Sequence, residues 1–192
     1  MGDVSVPLGD EMPAYLAVRK HHVPLVIHEQ NTVPGLANKF IELANWPAST
    51  TCKVVRSYGD FLIALRMTTS GIYNPRLLRW SDAAPIGALP RSWDYTDPTN
   101  QAGITELGQT QDELIDCAPL RDVNIVYKQN STWTMYPVGM PDVFGFRQLF
   151  SQSGLLTEDC VVSLGGHHIA VTDADVVMHD AAQMESLLDR KS

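Results

Sequence analysis

The chain has 192 residues, 44% hydrophobic and 19% charged, which is enough apolar content for a core and too little length for two large domains. Fourteen Lys and Arg against 22 Asp and Glu give a net charge of −8, and the densest basic run, Arg19-Lys20-His21-His22, does not offset it. Such a surface repels phosphate backbones and argues against nucleic acid as a partner.

In chain order, Met1-Gly2-Asp3-Val4-Ser5-Val6-Pro7 places acid where a signal peptide wants base, and Val6 breaks the myristoylation pattern. No apolar stretch reaches the roughly 18 residues a membrane span needs, so no membrane insertion is expected. Ala14–Lys20 suits a helical turn or two. Val23 to Ile27 is an apolar run interrupted only by Pro24, as in a buried parallel strand. Thr32-Val33-Pro34-Gly35 predicts a loop, and Leu36 to Ala44 a second helix. Residues 1–42 therefore predict a short α/β segment, too small to stand alone.

From residue 43 to 192 the apolar residues alternate in short runs broken by Gly, Pro, Asn and Asp, and the same unit recurs three times. Val54–Leu65, Ile115–Tyr127 and Val161–Val171 each read as a strand, a tight polar turn and a second strand. Third strands are predicted at Leu77–Trp80, Thr132–Tyr136 and Val176–His179, and fourth strands at Val143–Leu149 and Met184–Leu187. Phe61, Val123 and His167 occupy matching positions at offsets of 62 and 44 residues, the longer one holding an insertion from Ser81 to Gly103. A spacing of about 40–50 residues per four-stranded unit is what propeller blades show. The fold class read from this pattern is mainly β: antiparallel four-stranded meanders, partly propeller-like, with a two-sheet β-sandwich as the competing architecture.

Few residues carry chemistry. His167, His168, Asp173, Asp175, His179 and Asp180 form the richest set of metal-ligand types, but His167 and His168 point to opposite faces of a strand and the aspartates suit a turn, so no metal is expected. G-x-S-x-G and the phosphate-cradling glycine motifs do not occur. The acid pairs Asp112-Glu113 and Glu158-Asp159 read as solvated loop charge, Asn130-Ser131-Thr132 as a turn, and the cysteines at 52, 117 and 160 as buried thiols with no C-x-x-C spacing. Trp80, Trp93 and Trp133 read as core, with a sugar-stacking set as the rival assignment. The insertion carries Trp80, Asp82, Trp93, Tyr95 and Asp97, where Asp and Ser close local turns and Trp anchors the loop; these five are the expected assembly contacts.

Two stretches resemble known families. Val23-Pro24-Leu25-Val26-Ile27-His28-Glu29-Gln30-Asn31-Thr32-Val33-Pro34-Gly35-Leu36-Ala37-Asn38-Lys39 closely resembles the N-terminal domain of the peptidoglycan UDP-N-acetylglucosamine transferase that makes lipid II. The resemblance implies that His28, Glu29, Asn31 and Asn38 lie on the acceptor side of a glycosyltransferase cleft. No Gly-rich counterpart of that family's loop is present, so donor binding is not implied. From about Leu43 onward the chain resembles bacteriophage tail components of the nozzle or tubular type, carried by Asn45-Trp46-Pro47, Arg79-Trp80-Ser81-Asp82-Ala83, Ser92–Thr99, Leu120-Arg121-Asp122 and Asp189-Arg190-Lys191. This second resemblance implies a non-enzymatic virion protein, without cofactor, whose partners are other copies or other tail proteins. It also implies a piece of a larger body, joined to the first stretch near Ile41 to Asn45. The expectations are thus a virion structural role, a glycosyltransferase fragment, or a carbohydrate-binding module using the three Trp.

Overall fold

The computed structural model describes residues 25–27, 40–43, 45–85 and 88–188. Strand β1 (Leu25–Ile27) pairs antiparallel with β2 (Phe40–Glu42), Val26 opposite Ile41. This corrects two expectations: the described part of the Val23–Ile27 run, Leu25–Ile27, pairs antiparallel and not in a parallel sheet, and Phe40–Glu42 is strand within the stretch from Leu36 to Ala44 that predicts a helix. Phe40 and Ile41 suit strand as well as helix, and pairing with another short apolar strand decides between them. The expected helix at Ala14–Lys20 lies outside the described residues.

Three four-stranded antiparallel meanders follow. The first is β3 (Thr50–Tyr58), β4 (Phe61–Thr69), β5 (Ile72–Trp80) and β6 (Gly103–Glu106). The second is β7 (Leu114–Leu120), β8 (Val123–Lys128), β9 (Thr132–Gly139) and β10 (Val143–Phe150). The third is β11 (Val161–Leu164), β12 (His167–Val171), β13 (Val176–His179) and β14 (Met184–Ser186). Strands are neighbours in sequence order throughout, so no Greek-key crossover is present among the described residues and the two-sheet sandwich is excluded. Each predicted hairpin is found, and the first meander gains a fourth strand, β6, that lies beyond the 81–102 insertion. The mainly β class holds, with no helix among the described residues; a closed propeller ring is not part of the described structure.

The meanders stack through broad apolar faces. Ile63, Leu65, Leu78 and Trp80 of the first meet Cys117, Val126, Met135 and Phe144 of the second. Phe144 is the hub, edge-on to Trp80 at 5.4 Å and to Phe61 at 4.9 Å. Ile115, Leu120, Ile125 and Tyr127 on the opposite face of the second meander meet Ala170 and Val177 of the third, with Leu155 between. The far face of the first meander is sealed differently: Leu43, Trp46, Leu89 and Trp93 cover Cys52, Leu62, Ala64 and Met67. Leu65 and Met67 fall on opposite faces because Arg66 between them has φ 55° and the register with β5 slips there.

The segment joining the second and third meanders is pinned where Gly154 lies against backbone. A Cβ there would collide with Lys128 O and Gln129, atoms of a strand end that cannot swing away. Gly154→Ala is therefore expected to cost about 2 kcal/mol or more, read as a lowered urea midpoint with unchanged slope; an unchanged midpoint would show that this crossing is loose.

Candidate functional site

The described residues that converge most closely are charged, and they lie where the three opening strands approach one another. The Asp116 carboxylate of β7 is 1% exposed and receives the Arg56 guanidinium of β3 side-on, Nε to Oδ1 at 2.8 Å and Nη2 to Oδ2 at 2.7 Å. It also accepts the N–H of Cys117 at 2.8 Å and of Asp159 at 2.9 Å. Arg56 reaches the Asp159 carboxylate as well, so one guanidinium touches the second meander and the segment leading into the third. Burial works against the Arg56 charge, but the Asp116 and Asp159 carboxylates outweigh it and hold the group more firmly protonated than usual. A register shift between Leu114 and Asp116 aims this carboxylate, as the Arg66 kink aims Arg66 at Glu158.

Beside this seam lies an open groove of about 580 Å³ lined by Thr51, Lys53, Arg66, Thr68, Tyr73 and Glu113, with Cys52 at its floor. Tyr73 Oη donates to Glu113 Oε2 at 3.2 Å. Burial, then the Glu113 charge, pushes the phenol up to about 12, so it stays protonated and donating. The groove offers cations and one acid to a polar ligand, and its lining holds no histidine to act as base for Cys52. Cys117 is held as the unreactive thiol, since burial pushes it up to about 12.

Lys128 is fully buried, yet its ammonium donates to Leu107 O at 2.9 Å, Thr110 O at 2.9 Å and Thr110 Oγ1 at 2.6 Å and pairs with Asp112 Oδ1 at 3.1 Å. Asp112 also accepts from Asn130 N–H and Ser131 Oγ. Burial raises its pKa, but the hydrogen bonds from Thr110, Asn130, Ser131 and Lys128 together bring it down to about 2. Asp112 and Glu158 are thus not solvated loop charge, as their positions in sequence suggested, but partners of buried cations. Nothing local in the sequence marks them, because Lys128 and Arg66 come from strands far along the chain.

His168 and His179 are brought together, with Tyr127 between them. His168 Nε2–H must donate to Pro119 O at 3.0 Å, because a carbonyl only accepts. His168 Nδ1 therefore accepts from Tyr127 Oη at 2.7 Å, and Tyr127 Oη accepts from His179 Nε2–H at 2.7 Å. His179 Nδ1 closes the chain by accepting Ala181 N–H at 3.3 Å. Every bond runs one way, and all of them require neutral rings. His167 lies on the opposite face, and Asp173 and Asp175 stay in the β12–β13 turn. Among the described residues no three His, Cys, Asp or Glu side chains converge as a metal site.

The insertion is tied down along its length. Arg79 Nε donates to Trp93 O at 3.0 Å, and its guanidinium lies 5.3 Å from the Tyr95 ring. Trp80 Nε1 donates to Gln101 O at 2.8 Å, and Asp82 Oδ1 accepts Gln101 N–H at 3.0 Å. Asp94 and Asp97 each accept the N–H and hydroxyl of the Thr two residues on. Trp80 and Trp93 are buried, as is Trp133, so the sugar-stacking platform is excluded. Of the five expected contacts, Tyr95, at 51% exposure, offers the largest free surface. His28, Glu29, Asn31 and Asn38 lie outside the described residues.

Two outcomes follow from this geometry. Burial, then the nearby His168, lowers His179 from its usual 6.5 to about 4, and burial lowers His168 too. A folded pKa below the unfolded one gives stability that is complete above pH 6.5 and lost as pH falls toward 4. Urea midpoints are expected to decline across that window, and to decline less in His179→Asn; a flat profile would refute the neutral relay. Arg56→Ala leaves a buried carboxylate uncompensated and is expected to cost about 2 kcal/mol, below the usual toll of a broken buried pair because the Arg56 side chain is itself 35% exposed. If equilibrium unfolding finds Arg56→Ala as stable as the parent, the seam is decorative.

Comparison with known proteins finds similarity over one short stretch of 39 residues. Over it the chain is 64% identical to the UDP-N-acetylglucosamine–N-acetylmuramyl-(pentapeptide) pyrophosphoryl-undecaprenol N-acetylglucosamine transferase of a Nocardioides species, 62% to that of Cutibacterium acnes and 51% to that of Frankia casuarinae. The stretch is 19% of this chain and only 10–11% of those proteins. No family model matches the chain.

Proposed function

We propose that the chain is a non-enzymatic assembly module, a structural subunit or fragment of a virion tail that works by shape and by contacts to neighbouring copies or other tail proteins. The observation that carries this reading is the consistent use of charge for construction. Arg56, Asp116, Arg66, Glu158, Lys128 and Asp112 are all engaged in joining strands and loops, and the tryptophans in filling cores. Stacked meanders of this kind make rigid bodies with broad faces and displayed loops, which suits a scaffold. The 81–102 loop is the contact arm, with Tyr95 on its outside.

Sedimentation of the chain is expected to show association that rises with concentration and is lost in Tyr95→Ala, with the fold retained by circular dichroism. A strict monomer at every concentration removes the support for contacts between copies through this loop.

The second reading is a glycosyltransferase-related segment acting on a lipid-linked acceptor through His28, Glu29, Asn31 and Asn38. The 39-residue similarity favours it, and none of the relatives found speaks for a virion protein. Titration with a detergent-solubilised lipid-linked acceptor separates the two. The assembly reading expects no thermal shift, whereas a saturable shift abolished by Glu29→Ala puts the glycosyltransferase reading in its place.

A further inference from the structure

We propose that the joint between the second and third meanders is an acid-operated latch: mild acidification releases the third meander from the second while the first and second stay stacked. The inference goes beyond the assembly reading and does not depend on it. The two joints of the stack differ in chemistry. The first is apolar and aromatic, with Trp80, Trp133 and Phe144 among its members. In the strands of the third meander the buried side chains are His168, Ala170, Val177 and His179, so imidazoles make up half of what those strands bury. Every histidine among the described residues belongs to this meander.

His168 and His179 lie opposite each other on β12 and β13, with ring centroids 5.5 Å apart. Both rings face the second meander. Tyr127 of β8 bonds to both, Pro119 O of β7 takes the His168 Nε2–H, and Phe150 of β10 meets His179 edge-on at 5.4 Å. Three hydrogen bonds therefore cross this joint, and all of them run through the two imidazoles. Protonating His168 puts an N–H where Tyr127 Oη donates, and protonating His179 puts one against the Ala181 N–H. Donor then faces donor in each place, and two like charges repel each other in a buried site.

The surrounding charges do not relieve this. Asp180, next to His179, favours the charged ring, but it accepts the N–H groups of Ala182 and Gln183 and is drawn on by Arg121 of the β7–β8 turn. His167 on β12 opposes the charge, and β14 places Met184 opposite His179. On the second meander, burial and then Asp116 of β7 keep the Tyr127 phenol protonated, Lys128 of β8 is committed to Asp112, and Arg147 of β10 is an exposed cation. Glu158 and Asp159 of the entering segment are taken up by Arg66 and Arg56. With folded values lowered from the usual 6.5, to about 4 for His179, the joint is complete above pH 6.5 and weakens as pH falls toward 4. Asp112, held at about 2, keeps its bond to Lys128 throughout that window, so the second meander retains its own structure.

Hydrogen exchange of the full chain, followed by mass spectrometry and corrected for intrinsic rates, reads each meander separately. Between about pH 7 and about pH 4.5, opening of residues 161–179 is expected to increase at least about tenfold, while residues 61–80 and 123–135 change less than about threefold. Protection returns on neutralisation. His179→Gln keeps a donor toward Tyr127 and removes the titrating ring, and is expected to shrink the acid response at least about threefold; His167→Gln, on the opposite face, leaves it intact. A uniform rise across all three meanders overturns the proposal, since acid then unfolds the chain as a whole, and so does no rise at all. Both of these outcomes are read on the parent chain, whatever the variants do. An undiminished response in folded His179→Gln also overturns it, because another group then drives the release.

Discussion

The Arg56–Asp116 pair touches all three meanders' territory: Arg56 on its own strand, the Asp116 carboxylate of the next, and Asp159 at the entrance to the third, bonded to both. Apolar faces alone would let sheets slide over one another, because dispersion and burial are nearly indifferent to small translations. A planar guanidinium gripping a carboxylate side-on through two hydrogen bonds is not indifferent, and it sets the offset between opening strands. Asp116 spends its remaining capacity on two backbone N–H groups, so its charge is balanced in every direction. The geometry that achieves this depends on a local slip of register just before Asp116, which turns the side chain toward the seam.

The same logic recurs deeper in the fold. Lys128 inside the second meander, and the His168–Tyr127–His179 chain between the second and third, are polar groups placed where apolar ones would pack. Each is fully partnered, and each joins elements distant in sequence. Buried polar groups of this kind add little net stability over apolar replacements, but a misplaced neighbour leaves them unpaired at considerable cost. Their contribution is to penalise wrong stacking. Three similar meanders in one chain need such a penalty, since their apolar faces are chemically alike and could pair in the wrong order.

Much of the architecture was legible because alternation with period two, punctuated by Gly59-Asp60, Arg121-Asp122 and Gly165-Gly166, reports hairpins directly. The fourth strand of the first meander was not, since Gly103–Glu106 is short and lies after a long insertion. Phe40–Glu42 misled for a related reason: three residues carry no period, and the partner Leu25–Ile27 decides the outcome. The site was the least legible part. Asp112, Glu158 and Asp159 sit in loops, where acidic residues are ordinarily solvated, and only the fold brings Lys128, Arg66 and Arg56 to them. His168 and His179 drew notice as metal ligands, yet Tyr127, which makes them a hydrogen-bonded chain instead, looked like any core aromatic.

Among the described residues, the outer faces of the first and third meanders are finished in opposite ways. At the first meander Trp93 comes back from the insertion and meets Trp46 edge-on at 4.7 Å, closing the face over Cys52 and Ala64. Arg79 holds that cover by donating to the Trp93 carbonyl, so the cover is built by the strand it protects. At the third meander Val162 and Leu164 stand open to solvent although Ile169 repeats the position of two fully buried isoleucines. The insertion between β5 and β6 supplies that cover for the first meander, whereas the described turns of the third, two to four residues long, are too short to fold back over its outer face.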